Sequence, residues 1–410
     1  MKNFTRFHRF IVNLTTEQER MVNLYLNQFS AFHNTAKFIH MNTPNIEITE
    51  KLLVDLEMKN RDHGNGVSDI NEEQLYRIAE RVVTHYTKCV NHGTDTKGFK
   101  NFKRMKFDRY FPDRESTTFN AADYTIDDQI LGKLHIWEPQ WDEFLDLMKH
   151  MTNTVAIELV QFNKKYDLYC IDVTILTNEY DGIASSVKTE GVGIDVGVDI
   201  MFAVSDGSIY PNITDEPAFI NRRKKMMTLY ERIRDLSNAI DEDPSNVKVN
   251  KWREKSYNNQ REIMLLELQN SIALTSYFDD VVNKICVKNP KFIVIETLNN
   301  FSGVGGLPEV RVMHIEYFTN ILKNKLKDLD IPLFTAPVTY PSSKRCANCG
   351  SKDVQLVGRK MKCRKCKTTW NRDLNASLNL KEYGESIYNE ALVDTLEKIS
   401  RAKTKKSVAA

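Results

Sequence analysis

No apolar run in the sequence approaches the roughly 20 consecutive residues that a membrane-spanning helix needs. The start, Met1-Lys-Asn-Phe-Thr-Arg-Phe-His, also lacks the apolar stretch of a secretion signal. Both absences lead us to expect a cytoplasmic chain with no membrane partner. Net charge is nearly absent too: 57 Lys and Arg stand against 55 Asp and Glu, a formal +2. The global balance therefore names no partner, and the local distribution has to be read. Cysteines number seven, an odd total without a signal peptide, which argues against a disulfide framework. Neither His-x-His nor His-Glu-x-x-His occurs, so the nine histidines are not expected to build a metal site.

What is present is ordinary for a globular protein: 41% hydrophobic and 27% charged residues over 410 positions suit two or three domains with sizeable cores. Cations cluster locally. Ten Lys or Arg lie between Lys344 and Arg372 against one acid, Asp353. Six lie between Lys97 and Arg109 against Asp108 alone. Such blocks neutralise backbone phosphates, although a charge run is as often a solvated face.

Along the chain, residues 5–13 read as a strand, and Thr15-Thr-Glu-Gln marks a helix start followed by apolar Met21, Leu24, Phe29, Phe32 and Phe38. A second helix is expected from Glu72 to Val90, after a polar loop over Asn60–Ser68. From about residue 115 the texture changes to strands: 130–137, 154–160 and 166–175. After Ser185 a new domain opens with a hairpin, Val192-Gly-Ile-Asp-Val-Gly-Val and Met201-Phe-Ala-Val-Ser, then an Asp206-Gly207 turn. Helices over 219–240 and 251–285, the strand Lys291–Glu296, a helix over 313–329 and the strand 331–336 follow. Strands alternating with helices predict an α/β layer on a mixed sheet. The last residues, 391–410, are read as a basic flexible tail.

Two groups of residues carry chemistry. Cys346-Ala-Asn-Cys349 and Cys363-Arg-Lys-Cys366 are two Cys-x-x-Cys knuckles thirteen residues apart, the pattern of one structural zinc ion held by four thiolates. So short a hairpin cannot bury enough core, and metal affinity would supply its folding energy. Cys89, Cys170 and Cys286 sit singly in apolar surroundings and are read as buried small hydrophobes. The second group is three acids. Asp195 lies within an apolar strand, Glu296 ends another, and Asp373 stands where a helix should begin. Each alone is better read as a solvated or capping acid. Brought together by neighbouring strands and a packed helix, they would hold hard cations such as Mg2+. Two such ions about 4 Å apart activate a water and stabilise the oxygen leaving a phosphodiester.

At these positions Gly193-Ile-Asp-Val-Gly-Val, Ser205-Asp-Gly, Ile293-Val-Ile-Glu-Thr-Leu, Tyr340-Pro-Ser-Ser-Lys-Arg-Cys-Ala-Asn-Cys-Gly and Asn371-Arg-Asp-Leu-Asn-Ala-Ser-Leu-Asn-Leu resemble, in order and spacing, the motifs of the TnpB (OrfB) transposon-encoded family and of compact type V CRISPR effectors. The resemblance is close over residues 191–385 and one of layout only in the N-terminal half. It implies an α+β multidomain protein: a RuvC (RNase H-like) α/β nuclease domain with an inserted zinc ribbon, preceded by a wedge-type β-barrel that carries a helical recognition insertion. The implied segments are 1–15, first barrel strand; 16–114, helical lobe; 115–190, rest of the barrel; 191–342 and 369–390, nuclease domain; and 343–368, ribbon.

The resemblance further implies an RNA-guided DNA endonuclease with one two-metal site for both strands, using two Mg2+ or Mn2+ ions held by Asp195, Glu296 and Asp373. Its partners would be a guide RNA and double- and single-stranded target DNA, engaged as a monomer or as a homodimer on one RNA. Base pairing would read the sequence while the protein reads a short adjacent motif. The setting implied is prokaryotic or phage-encoded and nucleoid-associated. Arg372 and Asn375, beside the third acid, would contact the strand being cut, and Arg364 and Lys365 in the ribbon would contact nucleic acid. In the stretch Lys97–Phe111, Lys97, Lys100, Lys103, Arg104, Lys106 and Arg109 alternate with rings. These residues suit phosphate and base contact, or equally a linker whose aromatics pin it to a core. Alternative readings are a guided DNA-binding repressor, which intact catalytic acids argue against, and a guide-independent resolvase. A direct transposase fits least.

Overall fold

The computed structural model describes residues 5–43, 45–63, 70–91, 109–110, 117–177, 188–197, 200–296 and 308–408. They form two compact units: His8–Leu176, and a second running from Thr177 to the C-terminus that also takes in the first residues through Phe7.

The N-terminal unit contains β1 (Thr5–Val12), α1 (Thr16–Asn42), α2 (Glu50–Asp62), α3 (Glu72–Asn91), β2 (Arg109–Tyr110), β3 (Thr118–Asn120), β4 (Thr125–Asp128), β5 (Gly132–His135), α4 (Trp141–His150), β6 (Met151–Asn163) and β7 (Leu168–Thr177). Helix α1 starts where its capping box dictates: the Gln18 N–H donates to Thr15 Oγ1 at 3.2 Å and the Thr15 N–H to Gln18 Oε1 at 2.9 Å. Asn71 and Gln74 exchange the same pair of bonds before α3. The strands form two sheets, β1-β7-β6-β2 and β3-β4-β5. Phe29, Leu53 and Ile78 from the helices share one hydrophobic cluster with Phe10, Leu134 and Ile171 from the strands. The helices over 16–114 thus bury their apolar faces in the same core as the strands.

Three local expectations are corrected here. The strand read over 130–137 is shorter, β5 alone, because Asp128 Oδ1 accepts from the N–H groups of Ile130 (3.0 Å) and Leu131 (2.7 Å) and keeps these two residues in a turn before β5. Helices α2 and α4 were not expected. At 13 and 10 residues they offer too few turns for an apolar repeat to stand out.

The C-terminal unit contains β8 (Val192–Val196), β9 (Ile200–Val204), β10 (Ile209–Pro211), α5 (Pro217–Glu242), α6 (Val249–Cys286), β11 (Ile293–Glu296), α7 (Pro308–Asp328), β12 (Leu333–Ala336), β13 (Val354–Val357), β14 (Lys360–Cys363), β15 (Thr369–Asn371) and α8 (Arg372–Val408). Five strands make a mixed sheet in the order β10-β9-β8-β11-β12. The first three run antiparallel as a meander, while β11 pairs parallel with both β8 and β12. This order, third-second-first-fourth-fifth, is that of an RNase H-like sheet.

Alternation along the strands sorts their side chains onto two faces. Val192, Ile194, Phe202, Ile293 and Ile295 pack against Phe278 and Val282 of α6 and Phe318 and Leu322 of α7. Phe292, Val294 and Ala336 face Leu380 of α8. Helix α8 lies very close to this second face. A Cβ on Gly193 would land on the Ser377 carbonyl oxygen and the Lys381 nitrogen, and one on Gly384 would land on Val294 and Phe292.

Two further boundaries move. The cysteine hairpin's sheet, β13-β14-β15, continues through Asn371 rather than ending at 368. The segment from 391 onward, read as a flexible tail, is helical to Val408 as one continuation of α8. Ala391-Leu-Val-Asp-Thr-Leu-Glu-Lys-Ile contains no Gly or Pro to stop it.

Candidate active site

The sheet register places two of the acids. Ile194 pairs with Ile295 across the parallel β8–β11 ladder. One residue further on, Asp195 and Glu296 therefore stand side by side on neighbouring strands, about 4.8 Å apart along the backbone. Both lie on the face that carries Gly193 and Val294, the face that α8 covers. The third acid arrives with that helix. Asn371 Oδ1 accepts from the N–H groups of Asp373 (2.9 Å) and Leu374 (3.2 Å), capping α8 so that Asp373 falls in its first turn.

Asp195 and Asp373 are buried, at 8% and 4% exposure. Burial pushes the Asp195 carboxyl up to about 8; the charges of Glu296 and then Asp373 push the same way, and Arg372 opposes them. A buried carboxyl crowded by two others is a site short of positive charge, and three oxygen donors suit a hard cation. Asp373 accepts from Arg359 Nη1 at 2.6 Å and from Arg372 Nε at 3.1 Å. Glu296 accepts a hydrogen bond from the Ser342 hydroxyl.

The four cysteines form the second centre. Cys346 and Cys349 lie before β13, Cys363 ends β14 and Cys366 follows it. Their sulfurs all lie within 4.8 Å of one another, with Cys346–Cys366 and Cys349–Cys363 at 3.6 Å, and no disulfide joins them. Thiolates about 2.3 Å from a tetrahedral ion stand about 3.8 Å apart, so the set fits such an ion closely. Hydrogen bonds from the Thr368 hydroxyl and backbone lower the Cys366 thiol to about 5, while burial pushes the Cys346 thiol up to about 12, so the four thiols are not alike. Among the described residues no other His, Cys, Asp or Glu group draws together so tightly; the three carboxylates stand more openly. Cys170 and Cys286 are buried in apolar surroundings, as read from their neighbours.

The remaining candidates divide. Arg372 is partly exposed beside Asp373. Arg364 and Lys365 are exposed at the end of β14 remote from Asp373, and Arg364 sits 3.6 Å from Asp353. Asn375 departs from its expected role. It is fully buried; its Nδ2 donates to the Arg345 carbonyl at 2.7 Å and its Oδ1 accepts from the Ala347 N–H at 2.9 Å. Both ends of the amide are spent on the chain entering the cysteine hairpin, so Asn375 fastens that hairpin to α8 instead of reaching a ligand. Lys97, Lys100, Lys103, Arg104 and Lys106 lie outside the described residues, and Arg109 opens β2.

Sequence reading missed Arg359, Ser342 and Asn379. Each is a polar residue in a loop or on a helix, and only the tertiary fold reveals what it touches.

Residues 316–380, from within α7 through the cysteine hairpin into α8, match the family model of the TNB domain of Cas12f1-like proteins. Over that stretch the chain is similar to the Cas12f1-like proteins. Among solved structures it is similar to one of a Cas12f1-sgRNA-target DNA complex, at 12% identity and a TM-score of 0.38 over 93% of this chain and 99% of that one. It is also similar to the mini-RNA-guided endonuclease CRISPR-Cas_phi3, at 10% identity and 0.40 over 93% and 92%. CasPhi-2 (Cas12j) bound to crRNA gives 11% and 0.36 over 93% and 98%. Scores this low do not by themselves fix a fold. No curated protein matches the chain. No described helix is long and apolar enough to cross a membrane.

Proposed function

We propose that this chain is a member of the TnpB and compact type V effector family and an RNA-guided DNA endonuclease that binds a guide RNA, recognises a short motif beside its target and cuts DNA at one two-metal RuvC site. The observation that carries the reading is the convergence of Asp195, Glu296 and Asp373 on the α8 face of an RNase H-like sheet, where burial and then the neighbouring acids raise the Asp195 carboxyl. Two Mg2+ or Mn2+ ions there would supply Lewis acidity toward the scissile phosphate and an activated water. Asp195 and Glu296, fixed on adjacent strands, set the spacing of their oxygens. Asp373 completes the ligand set from the capped helix start. Arg372, partly exposed beside it, has room to turn from the carboxylate to a phosphate oxygen. One zinc ion in the cysteine hairpin would fix Cys346 to Cys366 and with them the approach to α8.

Guide RNA and DNA contacts are assigned to Lys97, Lys100, Lys103, Arg104, Lys106 and Arg109, and in the hairpin to Arg364 and Lys365. The wedge-type barrel with its helical insertion is the assignment for the N-terminal unit.

The test is direct. Protein purified with its bound RNA, which is sequenced to design a matched plasmid, should cut that plasmid in Mg2+, and Asp195→Ala should abolish cutting. Tight binding without cutting would instead make the chain a guided repressor. Cutting that survives removal of the RNA would make it a guide-independent nuclease.

A further inference from the structure

We infer that Ser342 is a positioning residue for Glu296, and that it turns the carboxylate toward the shared cation site without cancelling its charge. The inference rests on the carboxylate trio being that site.

Glu296 is the last residue of β11, so its backbone is fixed by the ladder to β12 while its side chain extends past the strand end. The Ser342 hydroxyl donates to its Oε1. Ser342 comes from the short helical turn Ser342–Lys344, is 4% exposed, and is held through both its N–H and its carbonyl. Its N–H donates to the Tyr340 carbonyl at 2.9 Å. Its own carbonyl accepts from Asn379 Nδ2 at 2.7 Å, and the same amide group donates to the Arg345 carbonyl at 2.7 Å. The Tyr340 hydroxyl returns a bond to the Asn379 carbonyl at 2.7 Å.

Asn379 is fully buried, and its Oδ1 accepts no hydrogen bond. A buried acceptor left unpaired is costly, so what this amide provides is its two donors, both aimed at the segment that presents Ser342. A neutral hydroxyl then occupies one Glu296 oxygen and leaves the other for a ligand. The contrast with Asp373 is chemical. Two guanidiniums there bring positive charge to the acid, whereas the partner at Glu296 is a neutral hydroxyl that fixes only its direction.

The experiment uses the full-length protein and Mn2+ alone, with binding read from the free-Mn2+ electron paramagnetic resonance signal, so neither guide nor DNA is needed. Ser342→Ala should weaken Mn2+ binding roughly tenfold, the usual size of losing a partner behind a metal ligand, while Ser342→Thr, which keeps the hydroxyl, should stay within about threefold of wild type. Thermal midpoint and zinc content should be unchanged in both, which separates positioning from folding. Wild-type Mn2+ affinity in Ser342→Ala, or equal weakening in Ser342→Thr, overturns the assignment and leaves the proposed nuclease intact. Asp195→Asn is run beside them. Undiminished Mn2+ binding in that variant would refute the carboxylate site itself, and the Ser342 role with it.

Discussion

The two candidate metal centres share one short stretch of chain, which runs from Cys346 to Asp373, yet they are built on opposite principles. The four sulfurs of the cysteine hairpin already lie within 4.8 Å of one another and match the spacing of a tetrahedral ion. The three acids are held apart by partners of their own: two arginines on Asp373 and a hydroxyl on Glu296. A closed set of ligands suits an ion that never leaves. An open set, with a buried carboxyl that resists ionisation, suits ions that arrive with substrate. The difference separates a centre that folds the chain from one that uses the fold.

Breaking the closed centre should have the largest effect. Chelating zinc, or Cys363→Ser, should unfold the hairpin, since structural zinc sites contribute on the order of 10 kcal/mol to such modules. Cleavage within residues 343–371 under limited proteolysis would report it, and nuclease activity should vanish with it.

At the open centre Asp195→Asn should reduce cutting to background, a loss of roughly three orders of magnitude or more. The same change should raise the thermal midpoint of the metal-free protein at pH 9, because it removes a buried charge. A fall in that midpoint would show that the carboxylate is stabilising and that the contrast is wrong.

The pH dependence sharpens this. The Asp195 pKa is raised from 3.8 to about 8 in the fold, so the folded chain holds more protons than the unfolded one between those values. Its contribution to stability is therefore full below 3.8, declines as pH rises, and is gone above about 8. A cation must displace that proton, so Mn2+ affinity should climb about tenfold per pH unit until about 8 and then level. Titrations from pH 6 to pH 9 would show the plateau. A flat profile would mean that Asp195 is already ionised.

Asn375→Ala probes the joint between the centres. Losing both of its bonds to the hairpin's entry should cost about 1–3 kcal/mol, read from a shifted urea midpoint with zinc still bound. The smallest effect is expected for Arg364→Ala with Lys365→Ala, far along β14 from Asp373. DNA affinity should fall modestly, with its salt dependence reduced by about two counter-ions and stability unchanged.

Both centres could be found in the sequence because each advertises itself locally. Paired Cys-x-x-Cys knuckles have few other uses, and an aspartate between Ile194 and Val196 in an apolar strand needs a reason to be there. Gly193, Asp195 and the Gly384 approach also follow from one packing fact, the nearness of α8. Ser342, Arg359 and Asn379 carry no such mark. Their meaning lies in partners 46, 14 and 37 residues away, which no periodicity connects. Asn375 was misread for the complementary reason: proximity to Asp373 in sequence suggested a ligand contact, while the helix turns its side chain into the protein. The N-terminal half was legible by texture only, since α2 and α4 are short and the turn after Asp128 is set by side-chain hydrogen bonds.

Helix α8 runs 37 residues in one piece, a rod of roughly 55 Å whose first turn holds Asp373. Gly193 and Gly384 let its early turns bed directly onto the sheet, with the strands in contact from Ser377 to Gly384. A load applied near Val408 acts through a long lever, but the bolted section reacts against it before the first turn is reached. Bending is then taken up beyond Tyr388, and Asp373 stays registered to Asp195 and Glu296.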